Sequence, residues 1–162
     1  MRGSCVNLVG PYTLKGKGGL SIDFMALTMI DPASSWFKVV ELPTIMRLMT
    51  KKANGKARTI EEEIFDKSSD QISRIVNKIW LCRYLQCCYL IYNNGLEFKS
   101  LCDSYGIKRK PTTIKNPQAN AICERIHLVL GTMMCTSEID MANSIEPADI
   151  DTSIANTAWA FC

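Results

Sequence analysis

Histidine is almost missing from this sequence: His127 is the only one in 162 residues. Zinc fingers of the usual Cys/His spacing are therefore excluded. The eight cysteines form no CxxC pair, and five of them sit inside apolar stretches, so buried free thiols are expected rather than a disulfide framework. Long apolar runs are missing too. The most hydrophobic stretch, "IWLCRYLQCCYLIY", is broken by Arg83 and Gln86, and the first residues, "MRGSCVNLVGPYTL", lack the apolar core of a signal peptide. An intracellular protein, cytoplasmic or nuclear and without a membrane span, is the expectation. Basic residues are missing from one end: beyond Arg125 there is no Lys or Arg, while five acids follow. The preceding 125 residues hold all 19 basic residues and 11 acids, a net charge of +8. A basic body with an acidic tail permits a nucleic-acid partner without demanding one.

The composition, 47% hydrophobic and 22% charged, is that of a folded domain, and the length fits one. Three strands are expected in the first third: 5–12 ("CVNLVGPY"), 20–31 ("LSIDFMALTMID") and 35–43 ("SWFKVVELP"), joined as an antiparallel meander. Residues 44–63 show no clean period. With five basic residues between Arg47 and Arg58, then Glu61 to Glu63, they read as a mobile basic loop. From Ser68 the period turns helical. Ile72, Ile75, Val76, Ile79 and Trp80 form one apolar stripe, and Ser68 with Gln71 makes a capping box for a helix to about Tyr84. A strand at 87–93, a short helix from Glu97 to Tyr105, a basic extended segment and a helix from Pro117 to about Met134 follow. The core face of that last helix is expected at Ile122, Ile126, Val129, Leu130 and Met133. A final helix is expected after an acidic loop. A meander extended by helix-connected parallel strands, flanked by helices, is an α/β mixed sheet of ribonuclease H-like order.

In such a sheet the middle of the first strand and the end of the fourth lie side by side. Those positions are Asn7 and Asn93, the latter closing "YLIYNNGLEF" where phosphate chemistry ordinarily places a carboxylate. Glu124 shares a helix face with Asn120 and His127 and is free to point at the strand ends. His127 itself reads as a surface helix residue. Trp36, Trp80 and Trp159 read as core or interface residues.

"VNLVGPYT", "FMALTMIDPASSWFKVVELP", "YLIYNNGLEF", "YGIKRKPT" and "NPQANAICERIH" together resemble, in order, the integrase catalytic core of LTR retrotransposons and retroviruses. The resemblance covers nearly the whole chain and implies a polynucleotidyl transferase with an Asp, Asp, Glu triad holding two Mg²⁺ or Mn²⁺ ions. Mapped onto this sequence, the triad positions are Asn7, Asn93 and Glu124. Only the glutamate survives. Hard divalent cations prefer anionic oxygens, so two metal ions have little to hold them here and strand-transfer activity is expected to be lost. Asp23, Asp31 and Glu97 are not expected to substitute. Glu124 follows Asn93 by 31 residues, short of the family's usual gap by about one helical turn.

The resemblance further implies a double-stranded DNA partner. Lys108, Arg109, Lys110, Lys115, Asn116, Gln118 and Asn120 occupy the segment that approaches DNA in the family, able to neutralise phosphates and to donate hydrogen bonds. The bland alternative is a solvated strand and loop. The family's flanking zinc-binding and C-terminal DNA-binding domains are expected to be absent. A homodimer through the 117–134 helix and the C-terminal helix, a non-enzymatic binding module, and a remnant without function remain open.

Overall fold

The computed structural model describes residues 3–15, 21–53, 56–84, 87–93, 95–112 and 121–136. Alternation in the first third does what period 2 requires: odd and even residues leave opposite faces of a sheet. Strand β1 (Gly3–Lys15) pairs antiparallel with β2 (Ser21–Ile30), which pairs antiparallel with β3 (Phe37–Glu41). The expected meander is therefore present. The β1–β2 register shifts between Val9 and Tyr12, where Gly10 has φ +99 and a Cβ would meet the Phe24 carbonyl oxygen at 2.7 Å. Only glycine suits that position.

Residues 44–63 are not a loop. Strands β4 (Thr44–Ala53) and β5 (Lys56–Phe65) pair antiparallel along their full length as a separate two-stranded sheet. Both faces of this ribbon mix apolar and charged residues, so the apolar periodicity of a half-buried strand never develops. Cross-strand pairs such as Arg47 opposite Glu62 and Met49 opposite Ile60 support it instead.

Helix α1 (Ser69–Val76) starts at Ser68, whose hydroxyl accepts from the Gln71 N–H at 3.3 Å. It continues as a π-helical turn over Asn77–Leu81, three residues short of the expected end. Strand β6 (Tyr89–Asn93) leads to helix α2 (Leu96–Tyr105), which Gly106 ends in the left-handed conformation at φ +63. Strand β7 (Lys108–Thr112) and helix α3 (Ala121–Thr136) complete the described elements. The start expected at Pro117 lies outside the described residues, as does everything expected beyond Thr136.

The main sheet runs β3-β2-β1-β6-β7, antiparallel among the first three strands and parallel from β1 through β6 to β7. Val6, Leu27, Met29, Leu90 and Tyr92 face α1 and α2 and pack with Ile72, Val76, Trp80, Phe98 and Leu101. Cys5, Ile30, Phe37 and Ile91 take the other face and pack with Cys123, Ile126 and Leu130 of α3. Two helices on one face and one on the other close the sheet into layers around a divided core. Of the expected core face of α3, Ile126 and Leu130 are buried; Val129 is only half-buried, and Cys123 is fully buried in its place. Cys5, Cys82, Cys87, Cys88, Cys102 and Cys123 are free thiols, four of them buried. No described helix is long and apolar enough to cross a membrane.

Candidate functional site

The register brings the first two triad positions together. The parallel β1–β6 ladder ends with Cys5 opposite Ile91, and Asn7 and Asn93 each lie two residues past that pair on their own strands. Asn7 is opposite Thr28 on β2, and Asn93 is opposite Thr112 on β7. Thr28 with Asn7 and Asn93 with Thr112 thus make a polar row of two pairs, just past the end of the β1–β6 ladder, on the sheet face that α3 covers.

Helix α3 runs along β1 in the same direction. Cys123 sits over Cys5, His127 over Asn7, and Gly131 against the Tyr12 ring. Four helical residues rise about 6 Å and two strand residues about 6.6 Å, which accounts for the step from Cys123 over Cys5 to His127 over Asn7. The Cys123 thiol keeps its proton: a hydrogen bond with the Cys5 thiol, then burial, push its pKa far up. Glu124 is exposed, on the turn that precedes His127.

His127 is half-buried and turned towards the sheet, not a fully solvated helix residue. Its Nε2 is 2.9 Å from Thr28 Oγ1 and its Nδ1 is 3.5 Å from Asn7 Nδ2. Burial lowers its pKa to about 4, so the imidazole is neutral at pH 7 and carries one ring proton. The neighbours fix which nitrogen holds it. Thr28 Oγ1 donates to the Asn7 carbonyl oxygen at 3.1 Å and so presents a lone pair to His127. Nε2 then donates, Nδ1 is bare, and the Asn7 amide donates to Nδ1. A closed ring of three hydrogen bonds links the Asn7 side chain, His127, Thr28 and the Asn7 backbone. Asn7 Oδ1 meanwhile accepts from the Leu8 N–H at 3.0 Å. Helical periodicity gave no sign of this role, because the partners lie 120 and 99 residues away in the chain.

Asn93 is exposed at the end of β6, where its Oδ1 accepts from the Thr112 hydroxyl at 2.7 Å. Both amide oxygens at the triad positions therefore already accept hydrogen bonds from the protein. Glu124 is the one carboxylate among the three positions. Among the described residues no group of three His, Cys, Asp or Glu side chains converges. This donor set does not fit the two divalent cations that the resemblance implies, because hard cations require several anionic oxygens in one place.

The basic segment divides by strand parity. Lys108 and Lys110 lie on the α3 face with Tyr89 and Asn93, and Lys110 Nζ is 5.1 Å from the centre of the Tyr89 ring. Arg109 takes the opposite face, where its Nε is 3.5 Å from Asp103 of α2. All three are exposed on an edge strand. Lys115, Asn116, Gln118 and Asn120 lie outside the described residues. Of the tryptophans, Trp80 is buried and donates to Ser4 Oγ at 3.2 Å. Trp36 is 42% exposed, donates to Tyr84 Oη at 2.9 Å and carries Lys38 over its ring. Trp159 lies outside the described residues.

This arrangement is an α/β mixed sheet of the ribonuclease H-like class. Comparison with solved structures narrows it: the chain has the fold of the retroviral integrase catalytic core. The BIV integrase catalytic core domain superimposes with a TM-score of 0.53 at 12% identity, covering 96% of this chain and 81% of that one. A chain of the simian T-cell lymphotropic virus intasome, solved with the PP2A regulatory subunit B56 gamma, gives 0.58 at 14% identity over 96% of this chain. This chain spans 47% of that one, about half its length. No family model matches the chain, and no curated protein does.

Proposed function

We propose that this chain is an integrase-core scaffold that holds duplex DNA through its phosphates and does not perform strand transfer. The observation that carries the reading is the face shared by Lys108, Lys110 and the polar row. Two exposed cations flank a strand end from which the amides at 7 and 93 have removed negative charge. A phosphate approaching that edge meets attraction from the lysines and no carboxylate repulsion at either asparagine position. Lys115, Asn116, Gln118 and Asn120, which follow β7 in the sequence, are further candidates for phosphate contact in this reading. Arg109, engaged on the far face with Asp103, contributes less.

The loss of chemistry follows from the donor set. Mg²⁺ or Mn²⁺ in a two-metal site clamps the attacking and leaving oxygens of a phosphodiester displacement, and no step of that kind is available to two amides and one exposed carboxylate. The test is binding of the purified chain to a labelled duplex, by fluorescence anisotropy across a salt series. Affinity falling by orders of magnitude between about 50 and 200 mM salt, with a slope reduced in the Lys108→Ala/Lys110→Ala variant, supports the reading. Flat, negligible binding by folded protein overturns it and leaves an inert remnant.

A further inference from the structure

The β4–β5 ribbon stands apart from the site. It joins the body at its base, where the Asp66 N–H donates to the Pro43 carbonyl oxygen at 2.8 Å and Phe65 packs against the core. Beyond that base both strands run for ten residues, and among the described residues neither outer edge pairs with anything. Five of the large apolar residues that the fold leaves exposed sit here: Ile45, Met46, Leu48, Met49 and Ile60, with Leu48 at 67%. A lone two-stranded ribbon is only marginally stable in water, and a long unpaired edge is a template for another strand.

Charge selects the edge and the occupant. Strand β4 carries Arg47, Lys51 and Lys52 and no acid, so two β4 edges would set cation against cation. Strand β5 is basic in its first half, Lys56 and Arg58, and acidic in its second, Glu61 to Glu63. Reversed against itself about Ile60, it sets the basic position 58 opposite the acidic position 62 and no like charges opposite each other. We propose that the β5 edge pairs antiparallel with the β5 edge of a second copy of this chain, about a twofold axis through Ile60, giving a four-stranded sheet across the dimer.

In that register Arg58 faces the partner's Glu62, and Ile60 faces the partner's Ile60. The ribbon's own register already places Arg47 opposite Glu62, Met49 opposite Ile60 and Lys51 opposite Arg58. Side by side, the copies extend Met49 and Ile60 into one apolar band of four residues. An isologous contact of this kind closes at two copies and leaves no β5 edge open.

Sedimentation of the full chain without DNA tests the pairing. Wild type is expected to be a dimer at micromolar concentration. Ile60→Lys, at a position already exposed, should be monomeric with an unchanged circular dichroism spectrum. Glu62→Lys should weaken the dimer about tenfold, and Arg58→Glu in the same chain should restore it. A monomeric wild type overturns the proposal, and so does a dimer indifferent to Ile60→Lys, which would place the contact elsewhere on the molecule.

Discussion

At position 7 an amide and a carboxylate have nearly the same shape, and the difference lies in what each offers His127. The amide donates to the bare Nδ1 of a neutral ring, whereas a carboxylate only accepts, leaving two acceptors face to face unless the imidazole takes up a second proton. Asn7→Asp is therefore expected to raise the pKa of His127 from its value near 4. Because the chain has a single imidazole, one pair of nitrogen resonances in an NMR titration reads this without assignment; an unmoved midpoint refutes the ring. Wild type makes a second prediction. The folded pKa near 4 lies below the ordinary 6.5, so the unfolded chain takes the proton first. The stability held by the neutral ring is complete above pH 6.5 and drains away as the pH falls towards 4, by on the order of 2 kcal/mol after solvent screening. Melting curves at the two ends of this window should differ, and His127→Gln should flatten the difference.

Among the elements, those with one buried face were legible beforehand and the ribbon was not. The meander, β6 and α2 each bury one face, and burial writes a period into the sequence. The described side chains of Thr44–Thr50 and Thr59–Ile64 are exposed or half-buried, so their pairing left only turn chemistry to find: Asn54-Gly55, the two residues between the strands, is a strong hairpin signal that the Lys-rich surroundings obscured. The α3 core face was legible in part, Ile126 and Leu130 being buried as expected, with the side chains of Ile122 and Met133 outside the described ones. Cys123 and His127 point inward because Cys5 and Asn7 lie beneath them, which the helix alone does not state. The ribbon's independence has an experimental consequence. Thr44 and Phe65 are paired neighbours, so a two-glycine bridge replacing residues 45–64 should close the gap. The shortened chain is expected to keep its thermal midpoint within about 4 °C, and a larger drop would show that the ribbon supports the core.

Across the whole molecule, charge is as unevenly distributed as apolar surface. Residues 137–162 hold five acids and no Lys or Arg, against the cations of β7 and the segment after it. Deleting them should raise duplex affinity several-fold at about 50 mM salt, with the gain fading near 200 mM as screening removes the tail's influence. Equal affinities at low salt would mean the tail exerts no field on the binding edge. Position 7 is held from three sides: its side-chain oxygen accepts from the Leu8 N–H, its amide donates to a bare imidazole nitrogen, and its backbone carbonyl takes the Thr28 hydroxyl. Among side chains of that size only asparagine donates and accepts in this way. The surroundings of β1 therefore act as a filter at this position, passing the amide and rejecting its isosteric acid unless the imidazole gains a proton.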